Sequence, residues 1–465
     1  MVTMIDTFLL LQLDEVQSER GVADVEGGGW DMSVVVPRDV TAREAAERAT
    51  RIPLSARRWA TAESLVCASV LLSLGCRVYL PSQVPLGLLL TAGACPAWLR
   101  VLQLYRHALA LTAATLCALV FGFGLTILAS SSHYVARTSM ISDISLALLT
   151  FGGVGVVLWG RERFGTPATG TLVGLGMVVG SALHGHSATL NAWKGAWAVP
   201  VTVLLLAITS RRPLAGAVVL TGLSIVCVVY DARALAGALV LALLIVVWQM
   251  RRDVGRGDVS YARTGLTLGT LAVVGYYLGT AALVRGLLGA HAQARSVQQI
   301  NETGSLILGG RPEIAATAAL LLHRFRGYGF GVIPRSSDVL VAKRGMLAIN
   351  YNPENGYVDH YMFGSGFELH SVAGDVWIRM GPAGLLLLLA VVVILVGGVA
   401  RRLADRRASG FVLFLTLWSF WNLAFSPLLS AGLTLTLAIG IALLGVEGRG
   451  SEQFATREPG ARRPL

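Results

Sequence analysis

Apolar positions run through this chain in long blocks separated by short polar breaks, from Arg58 to Val446. A helix needs roughly 17–25 mostly apolar residues to cross a hydrocarbon core. Blocks of that order recur near 61–80, 84–99, 108–129, 142–159, 167–184, 193–209, 214–230, 233–250, 265–288, 375–399, 409–426 and 428–446. The pattern predicts an all-α membrane protein of about twelve transmembrane helices. One long polar stretch, about Ala290 to Gly374, interrupts the rhythm. Polar connections of that length are uncommon in compact proteins and are usually functional.

Inside that stretch, PEIAATAALLLHRF has helical apolar spacing with Pro312 suited to a first turn, so a short helix lying along the membrane surface is expected. RGYGFGV follows, with three glycines that allow tight backbone turns. NYNPENGYVDHYMFGSG is rich in turn formers and aromatics, as a loop packed over a cleft would be. The expected organisation is a largely disordered cytoplasmic tail over 1–57, a polytopic domain over 58–446 with the large loop at 290–374, and a cytoplasmic tail over 447–465. MVTMIDTFLLLQLDEVQ lacks a basic n-region, so no secretory signal is expected.

Charge adds sidedness. Arg100 and Arg106, Arg161 and Arg163, Arg211 and Arg212, MRRDVGRGD and ARRLADRRAS fall in alternate breaks. The breaks between them, SSSHYVARTSMISD, HGHSATLNAWKG, Tyr230–Asp231 and FSPLLS, are poor in Lys and Arg. The positive-inside rule then puts both termini in the cytoplasm and the large loop on the extracytoplasmic face of the cell membrane. Composition agrees: 54% of residues are hydrophobic and 14% charged, against about 25% charged in soluble domains. A typical soluble enzyme is excluded, and the net charge of +11 reads as topology rather than nucleic-acid binding. Cys67, Cys76, Cys95, Cys117 and Cys227 lie in or beside apolar blocks, so neither a disulfide framework nor a metal site is expected.

Arg233, Arg311 and His370 combine the outer face with usable chemistry. Arg233 follows Asp231 at the mouth of a span, where a guanidinium needs an aqueous cavity, an interface to snorkel to, or a partner such as Asp231. Arg311 opens the loop helix in GGRPEI, and a surface arginine is more often simply solvated. His370 in GFELHSVAGDVW lies near Glu368 and Asp375, where a carboxylate can orient an imidazole that exchanges protons near neutral pH. Glu368, Asn191, Lys194 and Arg379 are the candidate substrate-binding set. His184 and His186 share the loop of Asn191 and Lys194. Arg379 also has a plain structural alternative, a pair with Asp375 at (i, i+4). Trp193, Trp197, Tyr357, Tyr361 and Trp377 suit either sugar and isoprenyl contacts or an interfacial belt.

The order GGRPEIAATAALLLHRFRGYGFGV, then ELHSVAGDVWIRMGPAGLLLLL, preceded by DARALAGALVLALLIVV, resembles the O-antigen ligase and polysaccharide polymerase superfamily over roughly Gly180 to Leu395. Alanine precedes Arg233 where that family usually has serine, and Ser371 follows His370 where many relatives have asparagine. The resemblance implies a membrane glycosyltransferase with Arg233, Arg311 and His370 as its catalytic set. It further implies transfer of a glycan from a polyprenyl (undecaprenyl) diphosphate carrier to an acceptor hydroxyl. Direct displacement at the anomeric carbon would invert its configuration, and with no acidic pair at metal-ligand spacing on the outer face, charge neutralisation by arginine is expected in place of a metal, with no cofactor. The competing expectations are a transporter or flippase for such a glycan, and a scaffold. Transporters place ionisable groups and broken helices near the bilayer midplane, whereas the charges here gather at outer helix ends and in one loop.

Overall fold

The computed structural model describes residues 54–80, 83–183, 191–250 and 289–446, with a few positions between 277 and 286. The chain divides into two units, Met1–Trp59 and Ala60–Leu465, and the contacts below lie within the second. Its helices in chain order are α1 (Leu54–Cys76), α2 (Leu86–Gly93), α3 (Cys95–Leu102), α4 (Ala108–Ala129), α5 (Arg137–Ala147), α6 (Gly153–Leu183), α7 (Ala198–Ile208), α8 (Pro213–Val229) and α9 (Arg233–Met250). After these come α10 (Ala290–Thr303), α11 (Leu306–Gly310), α12 (Glu313–His323), α13 (Ser336–Leu347), α14 (Val372–Ala404), α15 (Gly410–Phe425) and α16 (Leu428–Ala442). Among the described residues there is no strand, only isolated bridges such as Val135 to Val332.

By length and composition, four helical stretches are able to cross a membrane: Ala108–Ala129, Arg137–Leu183, Arg233–Met250 and Val372–Ala404. Shorter apolar helices accompany them, among them Pro213–Val229, Gly410–Phe425 and Leu428–Ala442. On α14, Leu386, Leu389, Val393 and Val396 are 67, 59, 64 and 47% exposed. Their spacing puts them on one helix face. Water is a poor solvent for such a stripe, and lipid tails suit it.

Two of the long helices are broken. At Gly165 the backbone leaves helical geometry (φ 81°, ψ 168°), two residues before Pro167. A Cβ on Gly160 would lie 3.0 Å from Thr169 Cγ2, although nine residues of straight helix span roughly 13 Å. The chain therefore folds back there, as the separate apolar blocks 142–159 and 167–184 predict. In α14 the break is at Gly381 (φ 57°, ψ −147°), followed by Pro382. The remaining stretch to Ala404, about 23 residues and roughly 35 Å long, is sufficient to cross a bilayer by itself.

Block 84–99 departs from the sequence reading. It forms two helices of eight residues each, α2 and α3, which meet at Ala94 just before Pro96. Proline removes a donor and clashes with the preceding turn, so one continuous helix is disfavoured. Most of the expected span 265–288, His184, His186, residues 1–53 and residues 447–465 lie outside the described residues.

Polar contacts sort the breaks into two groups. At one end, Arg106 N donates to Leu444 O, Arg161 Nη1 donates to Leu443 O at 2.9 Å and Arg402 Nη1 to Ala442 O at 3.5 Å, while Gln249 Nε2 donates to Ala408 O. At the other, Arg77 Nη2 donates to Ser430 O, Asn191 Nδ2 donates to Tyr230 O, and Val135 pairs with Val332. The first group holds the described arginine-rich breaks at Arg106, Arg161 and Arg402, and the second the arginine-poor ones. The segment after α9 joins the second group, through Arg233 to Ser296 and His133 to Asp338.

Candidate functional site

The RGYGFGV strap organises the second end. Gly327, Gly329 and Gly331 all have positive φ, at 81°, 106° and 67°. A Cβ on Gly329 would collide with the backbone nitrogen of Thr126, and one on Gly331 would sit 2.6 Å from Met140 Cβ. Only glycine allows this close approach with that backbone. The strap donates from Tyr328 N and Gly329 N to Ile378 O, from Phe330 N to Thr126 Oγ1 and from Gly331 N to Asp143 Oδ2. It thereby ties α4 and α5 to the first turns of α14.

Below the strap lies Arg379, 7% exposed. Its Nε donates to Asp143 Oδ1 at 2.7 Å, and Nη1 lies 3.5 Å from Asp375 Oδ1. Asp375 in turn accepts from Leu369 N and Leu428 N. The pair with Asp375 is present, and Asp143 makes the tighter contact. A buried guanidinium needs such compensation, because desolvating an unpaired charge costs several kcal/mol. The cluster sits before the Gly381 break, at the start of α14 rather than midway along it.

His370 has φ 51°, an uncommon region for a residue other than glycine, and such strain tends to persist at functional sites. Its Nδ1 lies 2.9 Å from Glu368 O. A carbonyl only accepts, so Nδ1 carries the hydrogen and neutral His370 presents Nε2 as a free base. Among the described residues Nε2 has no hydrogen-bond partner. The sequence reading assigned the orienting role to a carboxylate; the backbone carbonyl of Glu368 performs it. The Glu368 carboxyl is pushed above its ordinary value mainly by burial, offset by Arg379.

The Tyr357 ring stands 5.7 Å from the His370 ring. The Tyr357 hydroxyl donates to Glu313 Oε1. Burial and the Glu313 carboxylate raise the Tyr357 phenol, while the nearby Arg311 charge lowers it. The Tyr357 ring thus neighbours His370, and its phenol lies within reach of the Arg311 charge. Arg311 is the half-buried residue between α11 and α12, followed by Pro312 as the N-cap of α12. Glu313 is 4% exposed and its Oε2 has no partner among the described residues.

Arg233 occupies a separate group. Its Nε is 3.0 Å from Asp231 Oδ1, and Lys194 Nζ is 3.8 Å from Asp231 Oδ2. Asn191 donates to Tyr230 O and accepts from Lys194 N. Arg233 also reaches Ser296 Oγ on α10 at 3.4 Å, and α10 packs on α11, where Gly309 touches Gln299. Among the described residues no direct contact joins Arg233 to Arg311 or His370; the connection runs through α10 and α11.

A cleft of about 430 Å³ opens beside the strap, lined by Ser139, Ser142, Asp143, Gly366, Glu368 and Arg379 among others. The seven sequence candidates therefore fall into three neighbouring groups: Asn191, Lys194 and Arg233; Arg311 and His370; Glu368 and Arg379. Trp377, considered for sugar contact, is fully buried and donates to Phe325 O, whereas Tyr361 is 70% exposed. The sequence reading did not single out Asp143, and it passed over Glu313, two residues after Arg311. Tyr357 it held only as one aromatic among several. Among the described residues no group of three or more His, Cys, Asp or Glu is placed to hold a metal. The chain matches no protein-family model, no curated protein and no solved structure.

Proposed function

We propose that the chain is a membrane glycosyltransferase, a polymerase or ligase, that transfers a glycan from a polyprenyl diphosphate carrier to an acceptor hydroxyl on the extracytoplasmic face. The observation that carries the proposal is the His370 arrangement: an imidazole on a positive-φ backbone with Nδ1 committed to a carbonyl and Nε2 open, beside the Tyr357 ring on whose phenol the Arg311 charge acts. In the proposed step the acceptor oxygen attacks the anomeric carbon and gives its proton to His370 Nε2. The bond from that carbon to the diphosphate oxygen breaks, and configuration inverts. Arginine suits the departing diphosphate because its planar fork stays protonated and binds phosphate oxygens in pairs. Arg311 and Arg233 take that role, Arg233 with Lys194 beside it.

The proposed topology has about twelve spans, both termini in the cytoplasm and the segment 290–374 outside. The separation of arginine-rich from arginine-poor breaks at opposite ends supports it. The resemblance to the O-antigen ligase and polymerase superfamily is consistent with a detail at Ser371. Its hydroxyl accepts from Gly374 N as the N-cap of α14, and serine caps as well as the asparagine of many relatives.

The test is reconstitution with a polyprenyl diphosphate glycan and an acceptor, followed by mass analysis of the products. Single alanine variants of Arg311 and His370 are expected to lower turnover by about 100-fold or more, the usual range for losing a general base or a charge-stabilising donor. Activity is expected to survive EDTA. Full turnover in both variants would defeat the proposal. A transporter is the second reading, favoured by one observation: a buried Arg379–Asp143–Asp375 cluster beside a broken helix. Glycan crossing vesicle membranes with no new bond formed would select it.

A further inference from the structure

Helix α5 aligns Thr138, Ser139, Ser142 and Asp143 along one face, all lining the cleft that Glu368 and Arg379 close from the other side. Asp143 is already engaged, by Arg379 and by Gly331 N. The hydroxyls of Thr138, Ser139 and Ser142 and the carboxyl of Glu368 are different: among the described residues they have no hydrogen-bond partner. Four groups able to donate or accept thus converge on one cavity without using that capacity inside the protein. Water fills such a site by default, and a ligand that reproduces its hydrogen bonds displaces it without loss. The cavity, about 430 Å³, lies within the roughly 300–1,000 Å³ range of small-ligand sites.

Charge selects the ligand. The guanidinium of Arg379 is bracketed by Asp143 and Asp375, and Glu368 adds a third carboxyl at the same end. No cationic group in the cleft is left to receive an anion. A phosphate or a uronic acid entering it meets the unpartnered Glu368 carboxyl with no free cation among the lining residues to offset it, and like charges repel at close range in a partly desolvated site. A neutral polyol meets hydroxyls and carboxylate oxygens that match it.

We propose that this cleft binds an uncharged saccharide and rejects acidic ones. As a saccharide site it stands by itself; as the acceptor subsite of the transfer reaction it rests on the function proposed above. Glu368 holds a sugar hydroxyl there, two residues from the imidazole whose Nδ1 its own carbonyl fixes. The diphosphate is left to the arginines outside the cleft. The glycan taken up at this position accordingly lacks carboxylate and phosphate substituents.

The test uses the full chain in lipid nanodiscs and isothermal titration with two probes of equal length, a neutral oligosaccharide and a uronic acid oligosaccharide. The neutral probe is expected to bind at least about tenfold more tightly, the worth of one hydrogen bond to a charged group. Gly366→Trp blocks the cleft: a Cβ at Gly366 meets nothing within 4 Å, so the indole has open space to fill. It is expected to abolish binding of the neutral probe while thermal unfolding stays near that of the parent. Glu368→Gln is expected to weaken the neutral probe and to narrow the discrimination, and it decides the matter if the tryptophan variant fails to fold. Absent binding, equal or tighter binding of the acidic probe, or neutral binding indifferent to both variants overturns the proposal. Saccharide binding without transfer keeps the cleft and removes the enzyme; transfer indifferent to Gly366→Trp keeps the enzyme and removes the cleft as its acceptor subsite.

Discussion

Glu313 illustrates how much rests on single contacts. It is nearly fully buried, one oxygen accepts from Tyr357 and the other has no partner among the described residues. Removing the phenol hydroxyl by Tyr357→Phe leaves a buried carboxylate without that donor, which costs about 1–3 kcal/mol or more for a charged group. Glu313→Gln keeps an acceptor for the phenol and removes the charge. Thermal unfolding in nanodiscs is therefore expected to rank Tyr357→Phe as more destabilising than Glu313→Gln, and the reverse order would show that the pair is not held by this bond. His370 depends on its neighbourhood in a similar way. Its usefulness as a base comes from the Glu368 carbonyl, a group that any residue at that position would supply, so a side-chain pattern does not reveal it.

At the scale of elements, the glycine strap and the helix breaks decide where side chains end up. Gly329 combines φ 106° with a Cβ direction blocked by the backbone of Thr126. Gly329→Ala is expected to destabilise by about 3 kcal/mol or more, from backbone strain and overpacking together. Gly366→Ala, with open space around its Cβ, is expected to change stability by less than about 0.5 kcal/mol, as surface substitutions usually do. Chemical or thermal unfolding of the two variants checks both. The Gly381 break matters for function as well as packing. It separates the charged first turns of α14 from the stretch that carries the exposed apolar stripe, so Arg379 meets Asp143 and the cleft rather than lipid.

For the whole molecule, the sorting of contacts into two ends makes sidedness testable. With the large segment outside, Ser365→Cys, at an exposed position on the cleft rim, reacts with a membrane-impermeant thiol reagent on intact cells. Arg407→Cys, exposed between α14 and α15, reacts only after the membrane is opened. Labelling is measured against the parent, whose own cysteines are free. The opposite result would invert the topology and remove the extracytoplasmic site.

Hydrophobic block length and arginine placement sufficed to indicate an all-helical, apolar chain with two chemically distinct ends, because hydrocarbon thickness and backbone hydrogen bonding leave few alternatives. The same string showed Pro312 at a helix start, three turn-forming glycines before Val332, and Arg311 and His370 as candidates. Folding alone decided the partners. Asp143 meets Arg379 across more than two hundred residues of chain, the Tyr357 ring comes to rest beside His370, and Arg233 adds Ser296 on α10 to the Asp231 that its place in the sequence already offered. Such pairings depend on helix packing and on where a backbone reverses, and neither residue periodicity nor charge counting carries that information. In block 84–99 Pro96 marked a weak point in the string, while the seating of Trp98 against Gly155 and its bond to Thr91 O are tertiary detail the string does not carry.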